Sequence, residues 1–276
     1  MRYTFMRFPG FKDKAVTLSY DDGVVYDKRL IEIMDKNGLK GTFNINSGLF
    51  SEDGERRLTM QQAKELYTDS GHEVAIHGKR HLHLTDVPTA LAVDDVLNDR
   101  IALEELFGTV ITGMAYPYGL YDDNVVEILQ KCGIEYARTT VSTGKFDVPT
   151  DWLRLPATCH HSNSNLMKFA ADFLTDEPHV YYRSYPPKLF YLWGHSYEFN
   201  DADNWHIIEE FAEFIGNRSD VWYATNIEIY KYVKAYEALQ FSANGELVYN
   251  PSLMDIYINY FDKEFVIPSG KTVKLT

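Results

Sequence analysis

Short apolar segments of strand character alternate with amphipathic helical segments along most of this chain, and that rhythm leaves few folds open. Strand-like runs fall at 15–20, 41–45, 73–76, 112–115, 135–139, 189–193 and 221–224, with helical segments at 28–37, 59–69, 88–107, 124–132, 165–174, 205–215 and 227–238. Local signals support the division. Leu30, Ile33 and Met34 share one helical face, and Gly38 is a natural stop. Thr59 and Gln62 have the spacing of a capping box. Pro88 and Gly108 frame the longest helix. Strands separated by helices pair in parallel through right-handed crossovers. About seven or eight such units, in one chain of this length, predict an α/β fold. The expectation is a distorted or incomplete (β/α) TIM-like barrel over residues 1–240. Beyond it the pattern changes. Residues 241–276 hold short β-rich runs broken at Asn244-Gly245, Asn250-Pro251 and Pro268-Ser269-Gly270, which predicts a small C-terminal β appendage packed on the barrel.

The unusual polar residues fall where such a fold concentrates chemistry. Asp21-Asp22-Gly23 follows the first strand, His77 and His81 the third, Tyr116-Pro117-Tyr118-Gly119 the fourth, and His195 the run at 189–193. All lie at the carboxyl ends of expected parallel strands, which share one face of a barrel. His77 and His81 are four apart, so a single turn can aim both imidazoles at one point. Two imidazoles and a carboxylate make a catalytic zinc set with a position open for water. The adjacent Asp21 and Asp22 point different ways at a strand end, so one can be a ligand and the other a base. His195 suits protonation of a leaving nitrogen.

These segments resemble a known family. Ser19-Tyr20-Asp21-Asp22-Gly23 looks like the first motif of the polysaccharide deacetylases, the NodB-homology family of carbohydrate esterases. His77-Gly78-Lys79-Arg80-His81 resembles the second, Ala115-Tyr116-Pro117-Tyr118-Gly119 the third, and Leu192-Trp193-Gly194-His195 the last. Each motif alone is weak; their order and spacing over about 15–238 are specific. The resemblance implies a distorted (β/α) barrel with Asp21 as catalytic base and His195 as acid. It implies one divalent ion on Asp22, His77 and His81, with Zn2+ the first choice and Co2+ or Ni2+ suited to the same donors. The backbone N–H of Tyr118 would help form the oxyanion hole. The implied reaction is hydrolysis of an N-acetyl group on a sugar or polysaccharide.

The chain also departs from the family pattern. Ala115 stands where the third motif often has an arginine that holds the base aspartate, and Gly78 where the second has serine or threonine. The fourth motif, an aspartate-tryptophan pair that tunes the acid histidine, finds only a loose match in Asp151-Trp152. Arg138, at the end of the next strand, is the candidate replacement, gripping Asp21 from a neighbouring strand end through two parallel hydrogen bonds. The alternative places it outward, paired with a surface acid.

Blander readings apply to other residues. A lone Asp-Asp-Gly is a turn, and His72 and His83 read as surface histidines. Cys159-His160-His161 reads as a pocket wall or plain loop rather than extra metal ligands, because a three-residue run does not easily aim every side chain at one ion. His160, His161, Tyr116 and Trp193 are candidates to line the substrate, Trp193 by stacking on a ring. Two other functions stay open: a deacylase of another amide or an O-acetyl ester, and a catalytically retired sugar-binding protein. A net charge of −13 without any lysine/arginine run argues against nucleic acid or anionic membranes as partners and leaves a small-molecule or oligosaccharide substrate. Cys132 and Cys159 make no disulfide framework. Residues 1–10 lack the apolar core of a signal peptide, so the expected location is cytoplasmic.

Overall fold

The computed structural model describes residues 4–175 and 185–275. A short strand, β1 (Thr4–Arg7), precedes the core. Four βα units follow: β2 (Lys14–Asp21) with α1 (Asp27–Lys36), β3 (Gly41–Ile45) with α2 (Met60–Tyr67), β4 (Glu73–Ile76) with α3 (Thr89–Phe107), and β5 (Gly113–Ala115) with α4 (Asp123–Lys131). Then come β6 (Tyr136–Ser142), β7 (Leu155–Ala157), β8 (Cys159–His160), α5 (Leu166–Leu174) and β9 (Lys188–Gly194). The series closes with α6 (Ser196–Asp201), α7 (His206–Ile215), β10 (Val221–Tyr223) and α8 (Asn226–Glu237).

The strands pair in parallel in the order β7-β6-β5-β4-β3-β2-β9-β8. β2 is central, and all eight of its residues are buried, as a strand covered on both faces must be. One edge of β2 is shared: β10 pairs with it at Lys14 to Val16, β3 at Leu18 to Asp21. The two ends of the sheet path, β7 and β8, are separated in sequence by Thr158 alone. The sheet therefore curls until its ends meet, with one interrupted segment pairing to β6 at its start and to β9 at its finish. This is the barrel-like α/β architecture the alternation implies.

Helix boundaries follow the local signals. Gln62 N–H donates to Thr59 Oγ1 at 3.1 Å, and the Gln62 side chain accepts from Thr59 N–H at 2.8 Å, completing the capping box. Gly108 ends α3 in the left-handed conformation, φ 67°. Four elements carry no readable signal: β1, β7, β8 and α6 are two to six residues long, too short to show a period.

The C-terminal region contains β11 (Gln240–Phe241), β12 (Leu247–Tyr249), β13 (Ile256–Tyr260), β14 (Lys263–Ile267) and β15 (Thr272–Lys274). β11, β12 and β15 form one antiparallel sheet. β13 pairs on one side with β14 and on the other with β1, so the first described strand joins a sheet with two strands of the C-terminal region. Ile256, Ile258 and Ile267 pack with Phe8 and with Tyr232 and Val233 of α8 in a second apolar cluster that also takes in Tyr136, Tyr191 and Trp193 of the sheet. Cys132 and Cys159 are free and buried. No described helix is long and apolar enough to cross a membrane.

Candidate active site

Asp21 is the last residue of β2 and is 2% exposed. Its Oδ1 accepts from Asn44 Nδ2 at 2.8 Å, and Asn44 is its register partner on β3. Its Oδ2 accepts from Arg138 Nη2. Arg138 stands directly beside Ala115 in the pairing of β5 with β6, so the guanidinium missing from one strand is supplied at the same level by its neighbour. It does not come from a strand adjacent to Asp21, because β6 lies four places from β2 along the sheet. It crosses the interior, and curling of the sheet makes that crossing short. The grip also differs from the expected pair of parallel bonds: Nη2 alone contacts Asp21, while Nη1 faces the Thr139 carbonyl at 3.4 Å. The guanidinium lies 4.5 Å above the Trp193 ring, a cation–π contact in a dry setting. Burial by itself would raise the Asp21 pKa; Arg138, His77 and His195 outweigh it and hold the carboxyl at about 2.

Asp22 turns away from its neighbour through a left-handed backbone, φ 86°. Its Oδ1 lies 3.8 Å from His81 Nε2. Arg57 donates to its carbonyl at 2.7 Å and to Oδ1 at 3.4 Å, steadying the turn. His77 Nδ1 lies 2.8 Å from the Ala115 carbonyl oxygen, which can only accept, so the proton is on Nδ1 and Nε2 keeps its lone pair. Asp99 accepts from the His77 backbone N–H at 3.1 Å. A turn through Gly78 (φ 75°) and His81 (φ 55°) brings the two Nε2 atoms to 3.1 Å. A Cβ at Gly78 would lie 2.8 Å from Asp95 Oδ2, which accounts for glycine there. The candidate ligand atoms of Asp22, His77 and His81 all lie within 4.8 Å of one another. Burial lowers the pKa of both histidines, His81 to about 4, favouring the neutral form a metal accepts. With Tyr118 (φ 58°), three non-glycine residues with left-handed backbones ring this point, a pattern typical of sites held in place by their surroundings.

His195 follows β9 with Nε2 3.9 Å from Asp21 Oδ2 and Nδ1 3.0 Å from Glu198 Oε1. Glu198, one turn into α6, also receives His160 Nε2 at 3.2 Å and His161 Nε2 at 2.7 Å. Three histidines therefore converge on one carboxylate. For Glu198 the burial penalty is outweighed by the three histidine contacts, and its pKa falls well below the usual carboxylate range. For His195 burial works downward, but the Glu198 hydrogen bond and the charges of Asp21 and Asp22 turn the shift upward. His161 goes the other way, pushed by burial to about 4. Glu198 lies three residues after His195, but the sequence shows no helix there that would bring the two side chains together.

Other expectations need correction. Asp151 and Trp152 have other partners than His195. Asp151 caps its own turn by accepting from Leu153 N–H at 3.2 Å and pairs with Arg154, and Trp152 packs edge-on to Tyr230. Tyr116 is 1% exposed, stacked on Tyr121 and donating from its hydroxyl to the Leu153 carbonyl at 2.8 Å. His72 is not a surface residue: its side chain is 2% exposed, edge-on to Phe43, with Nδ1 accepting from Gly41 N–H at 3.1 Å. His83 is exposed, and its ring meets that of Tyr118 at 4.0 Å. Trp193 and His160 do face each other, ring centroids 4.5 Å apart, beside His195.

Residues 9–137 match the family model described as polysaccharide deacetylase. A chitin deacetylase of Arthroderma benhamiae is 28% identical over 138 residues, covering 49% of this chain and 36% of that protein. The chain spans about a third of the length of such curated relatives. Among solved structures, a family 4 carbohydrate esterase from Streptomyces lividans, in complex with acetate, superposes with TM-score 0.51 at 16% identity, over 76% of this chain and 92% of that one. A CE4 family pseudoenzyme from Bacillus anthracis gives TM-score 0.50 at 16% identity, over 82% of this chain and 68% of that one. These structures share the fold and leave activity to be argued from the site. The family match, which spans just under half of the chain, agrees with the ordered motifs in making this chain similar to the polysaccharide deacetylases, and the solved structures share its fold.

Proposed function

We propose that this protein is a metal-dependent hydrolase that removes an acetyl group from the amide nitrogen of an N-acetylated sugar or polysaccharide. The observation that carries the reading is a buried, ionised Asp21 set between two imidazoles, His77 at 3.8 Å and His195 at 3.9 Å. The Asp22, His77 and His81 set fits a divalent ion. In a tetrahedral site with bonds of about 2.0–2.1 Å, ligand atoms stand roughly 3.3 Å apart, and the two imidazole nitrogens are already 3.1 Å apart. His77 has the supporting hydrogen bond that metal-binding histidines use, from Nδ1 to a carbonyl. Zn2+ is the first choice, and Co2+ or Ni2+ suit the same donors. When bound, such an ion supplies Lewis acidity near neutral pH.

The side chains then divide the proton work. Asp21, kept ionised by Arg138 and fixed by Asn44, takes the proton of the attacking water. The Tyr118 backbone N–H is assigned to the oxygen that gains charge in the tetrahedral intermediate. His195 gives a proton from Nε2 to the departing nitrogen, while Glu198 holds Nδ1. Trp193, with His160, is assigned to the substrate side of the cleft.

Acetate release from a panel of N-acetylated and O-acetylated saccharides tests the reading. Release from N-acetyl compounds, abolished by a chelator and restored by Zn2+, is expected. Release confined to O-acetyl esters moves the function to an esterase. Saccharide binding with no release from either class makes this a retired scaffold.

A further inference from the structure

On the far side of His195 a second group of donor atoms meets. His160 Nε2 and His161 Nε2 lie 3.2 Å and 2.7 Å from the same oxygen, Glu198 Oε2, and the donor atoms of these three residues all fall within 4.8 Å of one another. Adjacent residues of a regular strand point to opposite faces, but β8 ends at His160, and the turn after it lets both rings face α6. His161 is locked in place: its ring stacks against Tyr20 and sits 4.1 Å from that of Phe199. Gly194 makes the room, since a Cβ there would lie 2.1 Å from His161 Nδ1. His160 Nδ1 is 2.7 Å from Ser162 Oγ, a hydroxyl able to accept its proton. The side chains of His160 and Glu198 are 19% and 32% exposed, so the group opens toward solvent.

We propose that His160, His161 and Glu198 form a second divalent-metal site, separate from the Asp22 set and suited to ions that favour imidazole. Two nitrogens, one carboxylate oxygen and an open side are a donor set for Zn2+, Co2+ or Ni2+. The two edges to Glu198 Oε2, at 3.2 Å and 2.7 Å, already lie close to the roughly 3.3 Å edge of a tetrahedral site. Loading has costs that rank this site below the first. Ser162 N–H now donates to His160 Nδ1 at 3.2 Å, so the proton on Nε2 must leave and Nδ1 must turn donor toward Ser162 Oγ. His161 Nδ1 has no partner among the described residues, so one ligand lacks its supporting bond. Such a loss weakens a metal site by about 10–100-fold. Binding here has a consequence for the neighbouring imidazole: Glu198 Oε1 holds His195 Nδ1, so an ion on Oε2 draws charge away from His195. On the proposed acid role of His195, excess metal inhibits. The binding itself does not depend on that role.

The test is a titration of the metal-free 276-residue chain with Co2+, followed by visible absorption and by counting bound ions. The wild type is expected to take two ions of unequal affinity. Asp22→Ala should keep the weaker and Glu198→Gln the stronger. His160→Asn, at a partly exposed position, should weaken the second ion more than about tenfold and guards against misfolding of the Glu198 variant. One ion in the wild type, lost in Asp22→Ala, overturns the second site and leaves the first intact. One ion kept in Asp22→Ala and lost in Glu198→Gln supports the second site and overturns the first. Two ions in every variant overturn the assignment of these ligands.

Discussion

Asp21 keeps its charge in a place where burial alone would protonate it, and Arg138 is the main reason. In Arg138→Met the burial penalty stands unopposed by the guanidinium, and the Asp21 pKa rises. The acid limb of the pH–rate profile should move to higher pH, with turnover falling most on the acid side; an unmoved limb would show that Arg138 does not set the Asp21 charge. Asp21→Asn should retain the metal and lose about 10²–10⁴-fold in turnover, the usual worth of a general base. Near-normal turnover there would make Asp21 a structural partner only. Asp21, Asp22, His77, His81 and His195 were legible in the sequence because each sits at a strand end, and strand ends share a face whatever the barrel's details. Glu198 and the orientation of His160 and His161 were not. Their meeting depends on β8 and α6, two elements without readable periodicity. The link from Arg138 to Asp21 was half legible. The residue could be named, but the single-pronged contact across the interior follows from how far the sheet curls.

The elements that carry these residues are held by caps and by turns of restricted shape. Thr59 and Gln62 close the first turn of α2, the helix that follows the Arg56-Arg57 loop over the site. Thr59→Ala should cost about 0.5–2 kcal/mol of stability, read from denaturant unfolding. The turn at Pro117–Gly119 is tighter. Gly119 has φ 69°, and a Cβ there would lie 2.3 Å from Thr140 Oγ1. Gly119→Ala should displace the Tyr118 backbone and reduce turnover more than it raises KM, because the Tyr118 N–H is assigned to a group that gains charge only in the transition state. A pure KM effect would remove Tyr118 from that role. Elements with a cap, a stop or a long period were readable in advance, α2 and α3 above all. The strands that join the sheet's ends were not, since two or three residues carry no pattern.

Across the molecule, buried carboxylates make stability depend on pH. Burial raises Asp27 and Glu73 to about 7, and their hydrogen bonds, from Ser196 and Tyr67 to Asp27 and from Tyr136 to Glu73, offset only part of the shift. A carboxyl raised above its unfolded value binds more protons in the folded state, so its stabilising contribution is lost as pH rises through about 7. His195, also raised, acts in the same direction, while His81 and His161, lowered to about 4, act oppositely only below their unfolded value of 6.5. The metal-free protein should therefore lose stability from about pH 6.5 to about pH 8, and Asp27→Asn should flatten part of that slope. The chemistry at the other end of the strands is tested most directly by acetate release from an N-acetylated oligosaccharide, comparing wild type with Asp21→Asn after both are stripped and reloaded with one equivalent of Zn2+. Rapid release by reloaded wild type, none by the stripped protein, and a loss of about 10²–10⁴-fold in a fully loaded Asp21→Asn is the expected result. Equal release with and without metal, or no release by loaded wild type, would contradict metal-dependent deacetylation at this site.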